Sequence, residues 1–216
     1  MSKRPTSVHP LSRKLMNDLE FCRSVDRRIN AAAEIVQQLP RTTQDINLLL
    51  TCAKHRLSHE VQYAVLNVLD SLPLREQDVK RLLPMVMKVL SSVESRVAGL
   101  WMKAGCLIGD RLLRTASPST RKHILDELIF AMQNANSAYA RRGALHGLEH
   151  ALNHATTAEG RRILAAIRDA VRTDRARSLR TSAYCLLRDG RWWGNGGSPQ
   201  LHSEARRLGK TLAYPD

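Results

Sequence analysis

The sequence predicts an all-α protein built as a stack of antiparallel helix pairs. Three observations predict this fold class. Aromatic residues make up only 4% of the 216 residues while Leu, Ala and Arg are abundant, which favours helix over sheet. Five segments share one pattern of small and apolar residues at helical spacing, and each follows another amphipathic stretch. Pairs of this kind cannot bury their apolar faces alone, so they are expected to stack.

The second helix of each pair, here called the B helix, carries the repeat. Aligning the five segments on their anchor residues gives steps of 33, 36, 44 and 39 residues, which suits a two-helix unit with variable loops. The anchors are Ala31, Ala64, Leu100, Ala144 and Ala183. A small anchor lets neighbouring helices approach closely, and the Leu or Ile eight residues later lies on nearly the same face.

The first helix of each pair, the A helix, is predicted just ahead of it. The predicted A helices cover residues 10–24, 44–55, 76–92, 119–134 and 158–172, and the B segments begin near residues 26, 60, 94, 140 and 177. A short helix over about residues 200–212 caps the stack. Start signals are Thr43, Ser117-Pro118 and Thr157, and stop signals are Pro40, Pro73 and Gly109.

The B segments resemble HEAT repeats, notably over residues 94–110, which end in Ile108-Gly109-Asp110. This resemblance covers about residues 9–190 and implies a HEAT/armadillo-like right-handed solenoid with its B helices on the concave surface. We therefore expect a flexible terminus over residues 1–8, a repeat domain over 9–190, a Trp/Gly-rich loop over 191–199 and a capping helix and tail over 200–216. Such a resemblance specifies an architecture and leaves the function open.

The net charge is strongly positive and indicates an acidic partner. The chain has 34 Lys+Arg against 20 Asp+Glu, a net charge of +14, and residues 156–216 hold 12 Lys+Arg against 6 Asp+Glu. Nucleic acid, DNA or RNA, or an acidic protein would match this charge, although a genomic bias toward Arg codons would also produce it. The residues predicted to contact the partner are Arg27, Arg28, Arg96, Arg141, Arg142, Arg177, Arg180, Arg191, Trp192 and Trp193.

Both parts of that set have a structural alternative. HEAT repeats often carry an arginine near the start of the B helix that bonds a neighbouring repeat. The two tryptophans lie in a glycine-rich turn, where they either stack on bases or plug the open end of the stack. The plug is the favoured interpretation of the tryptophans, and partner binding is favoured for the two arginine pairs, Arg27/Arg28 and Arg141/Arg142.

Neither a metal site nor a cofactor site is predicted. His146, His150 and His154 follow an i, i+4, i+8 pattern with Glu149 nearby, but equally spaced residues drift around a helix and at most two share one ion. A polar helix face is therefore favoured. The four cysteines, Cys22, Cys52, Cys106 and Cys185, form no CxxC pair and are expected to be free thiols in a reducing compartment.

Two enzyme families built from HEAT-like repeats provide alternatives. The chain resembles alkylpurine DNA glycosylases in its basic groove, and that resemblance implies aromatic residues facing a damaged base and a catalytic carboxylate. The candidates are Trp101 with Asp110 and Trp192/Trp193 with Asp189, although no motif residue matches cleanly. His59-Glu60 is similar to the His-Glu dipeptide of deoxyhypusine hydroxylase, which that family repeats and this chain contains once.

The sequence thus predicts a non-catalytic binding module that engages nucleic acid or an acidic partner through a basic concave surface. A protein–protein adaptor and a glycosylase-like enzyme are the alternatives. No stretch approaches the roughly 20 uncharged apolar residues of a membrane span, so a cytoplasmic location is expected. The oligomeric state is left open.

Overall fold

The computed structural model describes residues 59–91, 99–190, 192 and 196–215, together with residues 17, 18, 24, 27, 30, 31 and 34. The chain divides into two compact units, Met1–Pro73 and Leu74–Asp216. The described residues form helices and turns and contain no strand, in agreement with the predicted all-α class.

In the first unit, helix α1 spans His59–Ser71 and corresponds to the second predicted B helix. Its buried side chains include Val65, Leu66, Val68 and Leu69, which follow the i, i+1, i+3, i+4 spacing of one helix face. The helix ends two residues before Pro73, as that stop signal predicts. The first predicted helix pair and the A helix over residues 44–55 lie largely or wholly outside the described residues.

The second unit contains three helix pairs and a capping helix, which confirms the predicted alternation from the third pair onward. The pairs follow one another along the chain, and A helices pack on A helices while B helices pack on B helices. The elements are α2 (Glu76–Ser91), α3 (Leu100–Cys106), a π-helical segment (Leu107–Leu112), α4 (Leu113–Thr115), α5 (Pro118–Asn134), α6 (Ala138–Ala151), α7 (Thr157–Thr173), α8 (Arg177–Asp189) and α9 (Pro199–Gly209).

Local sequence explains where several of these helices begin and end. Ser117, part of the predicted start signal, is the N-cap of α5, and Pro118 is the first helical residue, one residue before the predicted start. Helix α7 begins one residue earlier than expected, because Thr156 and Glu159 form a reciprocal capping box. Gly190 ends α8 in the left-handed conformation, with φ of 56°.

The prediction that Gly109 stops a helix is wrong. Gly109 lies inside the π-helical segment, and the helical chain continues to Thr115. The glycine is needed for packing: a Cβ atom at Gly109 would overlap the carbonyl of Gly147 on α6, and one at Gly105 would overlap the carbonyl of Gly143. Two glycine stripes of i, i+4 spacing thus bring the B helices of the third and fourth pairs into backbone contact.

The A helices are amphipathic. In α7, Ile163, Leu164 and Ile167 are buried while Arg161 and Arg162 are exposed. Among the described helices, none is both long enough and apolar enough to span a membrane.

Candidate functional site

The B helices α3, α6 and α8 line a groove of about 650 Å³ in the second unit. We call it the B-helix groove. Its lining combines an aromatic ring, apolar side chains and charges of both signs, and it consists of Trp101, Met102, Arg142, Leu145, His146, Glu149, Ser182, Cys185, Leu186 and Asp189. The lining of this groove is therefore of mixed charge, whereas the sequence predicts a basic concave surface.

An aromatic and cationic cluster forms one part of this groove. The guanidinium carbon of Arg142 lies 5.5 Å from the centroid of the Trp101 ring, within the range of a cation–π interaction. The ring of Tyr139 is 6.1 Å from that of Trp101 and is 57% exposed. Rigid aromatic surface beside an Arg side chain is typical of protein interaction sites.

Arg141 and Arg142 have separate roles, because adjacent residues of a helix point about 100° apart. Arg141 is only 3% exposed and forms a bidentate ion pair with Asp174, at 2.7 Å from Nε to Oδ2 and 3.2 Å from Nη2 to Oδ1. Its Nη1 also donates to the carbonyls of Ala135 and Asn136. Arg141 is thus the structural arginine that joins adjacent repeats, and only Arg142 faces the groove.

The remaining predicted contact residues are dispersed. Arg177 is exposed at the start of α8, and Arg180 donates from Nη1 to the carbonyl of Asp174. Arg27 is exposed in the first unit. Arg28, Arg96, Arg191 and Trp193 lie outside the described residues.

The geometry of Trp192 supports the plug interpretation. Trp192 is 4% exposed, and its ring stacks on that of His202 with 3.8 Å between centroids and an interplanar angle of 8°. Its Nε1 donates to the carbonyl of Gly196 at 2.8 Å. Gly197 adopts φ of 94°, and a Cβ atom there would come within 2.7 Å of the Trp192 ring. A side chain enclosed in this way is unavailable to stack on a base.

Ion pairs neutralise part of the basic region that follows residue 156. Four of its arginines contact a carboxylate of the second unit. The pairs are Arg161–Glu204, Arg162–Asp126, Arg168–Asp169 and Arg188–Asp189. These pairs reduce the positive electrostatic potential that a phosphate backbone would meet in this region, since each adjacent carboxylate repels phosphate.

A second cluster joins Cys106 to two of the predicted histidines. One donor atom each of Cys106, His146 and His150 lies within 4.8 Å of the others, and Sγ of Cys106 is 3.2 Å from Nε2 of His150. Nδ1 of His146 is 2.9 Å from Oε2 of Glu149. The three side chains of the cluster are half-buried, and together they could hold a metal ion.

The charges within this cluster stabilise one another. Burial alone would raise the pKa of the Cys106 thiol, but hydrogen bonds and positive charge from His146 and His150 lower it to about 7. Burial alone would lower the pKa of His146, but hydrogen bonds to Cys106 and Glu149 and their negative charges raise it to about 9. The arrangement therefore favours a thiolate beside an imidazolium.

The third histidine lies apart because α6 ends at Ala151 and His154 follows in the turn after it, so the expectation that all three histidines share one helix is wrong. Nε2 of His154 is 2.6 Å from Oδ1 of Asp110, and the same carboxylate pairs with Arg114 at 3.2 Å. Asp110 therefore does not join Trp101 in the groove.

Sequence reasoning missed Cys106 because its partners lie 40 and 44 residues away on another helix. The sequence did hold one signal for this contact: the anchors Leu100 and Ala144 are 44 residues apart, the same separation as Cys106 and His150.

Comparison with known proteins gives little further information. No family model matches the chain, and no curated protein matches it. Among solved structures, the chain is similar to a designed armadillo repeat protein in complex with the peptide (KR)4, with 10% identity, a TM-score of 0.46, and coverage of 93% of this chain and 88% of that chain. A similarity this low says nothing about function, and membership of the HEAT family stays a prediction.

Proposed function

We propose that this chain is a helical-repeat binding module whose B-helix groove holds an acidic segment of a partner protein. The observation that carries the proposal is the placement of Arg142 over Trp101 inside a groove lined by three successive B helices. An acidic side chain of the partner would pair with Arg142, whose position is fixed by the largely buried Trp101 ring beneath it, and an adjacent apolar or aromatic side chain would pack against Met102, which lines the groove and is 38% exposed.

The mixed charge of the groove favours a peptide over a polynucleotide. Glu149 and Asp189 share the groove with Arg142, so a continuous phosphate backbone would meet carboxylates along its path. A peptide with spaced acidic residues avoids this repulsion. The net charge of +14 would then act at longer range by accelerating the approach of an acidic protein.

The test is a fluorescence anisotropy titration with a labelled copolymer of Glu and Tyr, at about 50 and 200 mM salt. Labelled duplex DNA and single-stranded RNA are titrated in parallel. The two variants are Arg142→Glu and Arg172→Glu; the second makes the same charge change at an exposed position on α7. We expect the copolymer to bind and Arg142→Glu to weaken binding at least tenfold, about 1.4 kcal/mol, while Arg172→Glu changes it little. Equal weakening in both variants would show that the copolymer is attracted by net charge alone. That result would refute the groove as the binding site.

Nucleic acid is the second candidate, and the net charge of +14 favours it. In that case DNA or RNA would bind more tightly than the copolymer. The logarithm of the binding constant would also fall steeply and linearly with the logarithm of the salt concentration. That result would replace the protein partner with a polynucleotide.

The glycosylase alternative concerns the same groove. Trp101 and the carboxylates of Glu149 and Asp189 all line it, which are the residue classes that the glycosylase resemblance implies. Release of an alkylated base from methylated DNA, lost in Glu149→Gln or Asp189→Asn, would support an enzyme. If the wild-type protein releases no alkylated base, the glycosylase alternative is excluded and the binding module stays the proposed function.

A further inference from the structure

The cluster of Cys106, His146 and His150 has the composition and spacing of a metal site. His146 and His150 are i, i+4 neighbours on α6, so their rings project from the same helix face. Cys106 ends α3 immediately before the π-helical segment and faces them from the adjacent helix. The backbone contact of Gly105 with Gly143 brings the two helices close enough for a short thiol to reach the imidazoles.

The donor distances suit a tetrahedral ion after small side-chain adjustments. Zinc binds thiolate sulfur at about 2.3 Å and imidazole nitrogen at about 2.0–2.1 Å, so tetrahedral ligands lie about 3.3–3.6 Å from one another. The Cys106 Sγ to His150 Nε2 distance is 3.2 Å, and all three donors lie within 4.8 Å of one another. Side-chain rotations that shift the sulfur and nitrogen donor atoms by about an ångström or less would bring them to that geometry.

The ring of His146 is already oriented by an outer carboxylate. Its Nδ1 lies 2.9 Å from Oε2 of Glu149, which leaves Nε2 as the nitrogen available to a metal. A carboxylate that fixes the tautomer and direction of a histidine in this way is a regular feature of zinc sites. Glu149 and His146 also line the B-helix groove, so the cluster adjoins open space.

We propose that Cys106, His146 and His150 form a three-ligand zinc site beside the B-helix groove, with Glu149 as the positioning residue for His146. Metal binding would displace the proton of His146, so that one thiolate and two neutral imidazoles form a donor set that suits zinc. Three protein ligands leave the fourth position for water or for a donor atom of a bound molecule. The site is independent of the proposed protein-binding function.

The first test measures the metal itself. The chain is produced in zinc-supplemented medium, dialysed, and its zinc content determined; the metal-free chain is then titrated with Co²⁺ and its absorption spectrum recorded. We expect one zinc per chain and a thiolate-to-cobalt charge-transfer band. Absence of both zinc and the band would overturn the proposal.

Matched variants assign the ligands. Cys106→Ser, His146→Gln and His150→Gln are expected to lose the bound zinc, and Cys106→Ser also the charge-transfer band. The controls are Cys185→Ser, which removes another half-buried free thiol, and His154→Gln, which removes the next histidine along the chain, in the turn after α6. Circular dichroism establishes that each variant is folded. Equal metal loss in the controls and the ligand variants would overturn the assignment.

The role of Glu149 is tested separately by Glu149→Gln. Loss of a carboxylate that orients a ligating histidine is expected to weaken zinc about 10–100-fold while preserving the cobalt charge-transfer band. Unchanged zinc affinity would refute the positioning role. These measurements need no partner, so failure of the zinc site and failure of the protein-binding groove are distinguishable.

Discussion

Cys106 and His150 lie on facing B helices with 3.2 Å between Sγ and Nε2, and they are 44 residues apart in the chain. The same 44-residue offset recurs one turn further, where Asp110 meets His154 at 2.6 Å. The two contacts fix the alignment of these B helices. The glycines between them set the distance, since Gly109 packs directly on the backbone of Gly147.

Replacing Gly109 with Ala should destabilise the second unit. In a helix interior, Gly→Ala normally stabilises by about 1 kcal/mol, so the sign of the effect is diagnostic. Here the added Cβ meets carbonyl and Cα atoms of Gly147, and backbone atoms cannot turn aside. We expect a net loss of about 1–3 kcal/mol in the free energy of unfolding, measured by urea denaturation.

The control for this substitution is Gly160→Ala on α7. The three atoms nearest to its Cβ would all belong to the side chain of Leu201, which can rotate more readily than a backbone. We expect a smaller loss there. A stabilised Gly109→Ala protein would show that the two B helices are not in backbone contact.

Replacing Arg141 with Ala should destabilise far more than replacing Arg142. Arg141 and Asp174 are 3% and 6% exposed in their side chains, so removing the cation leaves a buried carboxylate unpaired. The expected loss is about 3–5 kcal/mol. Thermal and urea unfolding of Arg141→Ala and Arg142→Ala provide the measurement, and similar losses in both would contradict the assignment of Arg141 to structure and Arg142 to the groove.

These residues show where sequence reasoning succeeded and where it did not. The helices of the third to fifth pairs were predicted because apolar periodicity and capping residues are local properties, as at Ser117-Pro118. The separate roles of Arg141 and Arg142 were not predicted, since a shift of one residue rotates a side chain by about 100°. Cys106 was missed because its partners are set by the alignment of two helices, which depends on glycine packing and on a π-helical segment.

Glu159 should contribute stability that depends on pH. Its carboxylate accepts from the backbone nitrogen of Thr156 at 2.8 Å and pairs with Arg121 at 2.9 Å. Burial alone would raise its pKa, but the bonds to Arg121 and Thr156 lower the pKa below 4.5. Because the folded pKa is depressed, the stabilisation is fully present above the unfolded pKa and is lost as pH falls through the folded pKa.

The measurement compares thermal unfolding of wild type and Glu159→Gln from pH 7 to pH 3. We expect a loss of about 1–2 kcal/mol at neutral pH that is constant down to about pH 5 and then shrinks with acidification. Glu204→Gln is the control, because Glu204 pairs with the 64% exposed Arg161 and such surface pairs contribute little. A difference that grows on acidification would contradict the sign of the shift.

Replacing Trp192 with Phe should reduce stability without changing partner affinity. The substitution removes the bond from Nε1 to the Gly196 carbonyl and part of the stacking on His202. We expect a loss of about 1–3 kcal/mol in unfolding free energy. Binding of the Glu/Tyr copolymer is measured on the same sample. A marked loss of affinity in folded protein would show that Trp192 contacts the partner.

NMR mapping of the bound probe would show whether the B-helix groove is the partner-binding surface. Amide chemical shifts of the labelled chain are recorded while the Glu/Tyr copolymer is added. We expect perturbations to concentrate on α3, α6 and α8 around Trp101, Leu145 and Ser182. Perturbations concentrated on α7 and α9, or none at saturating copolymer, would contradict this expectation.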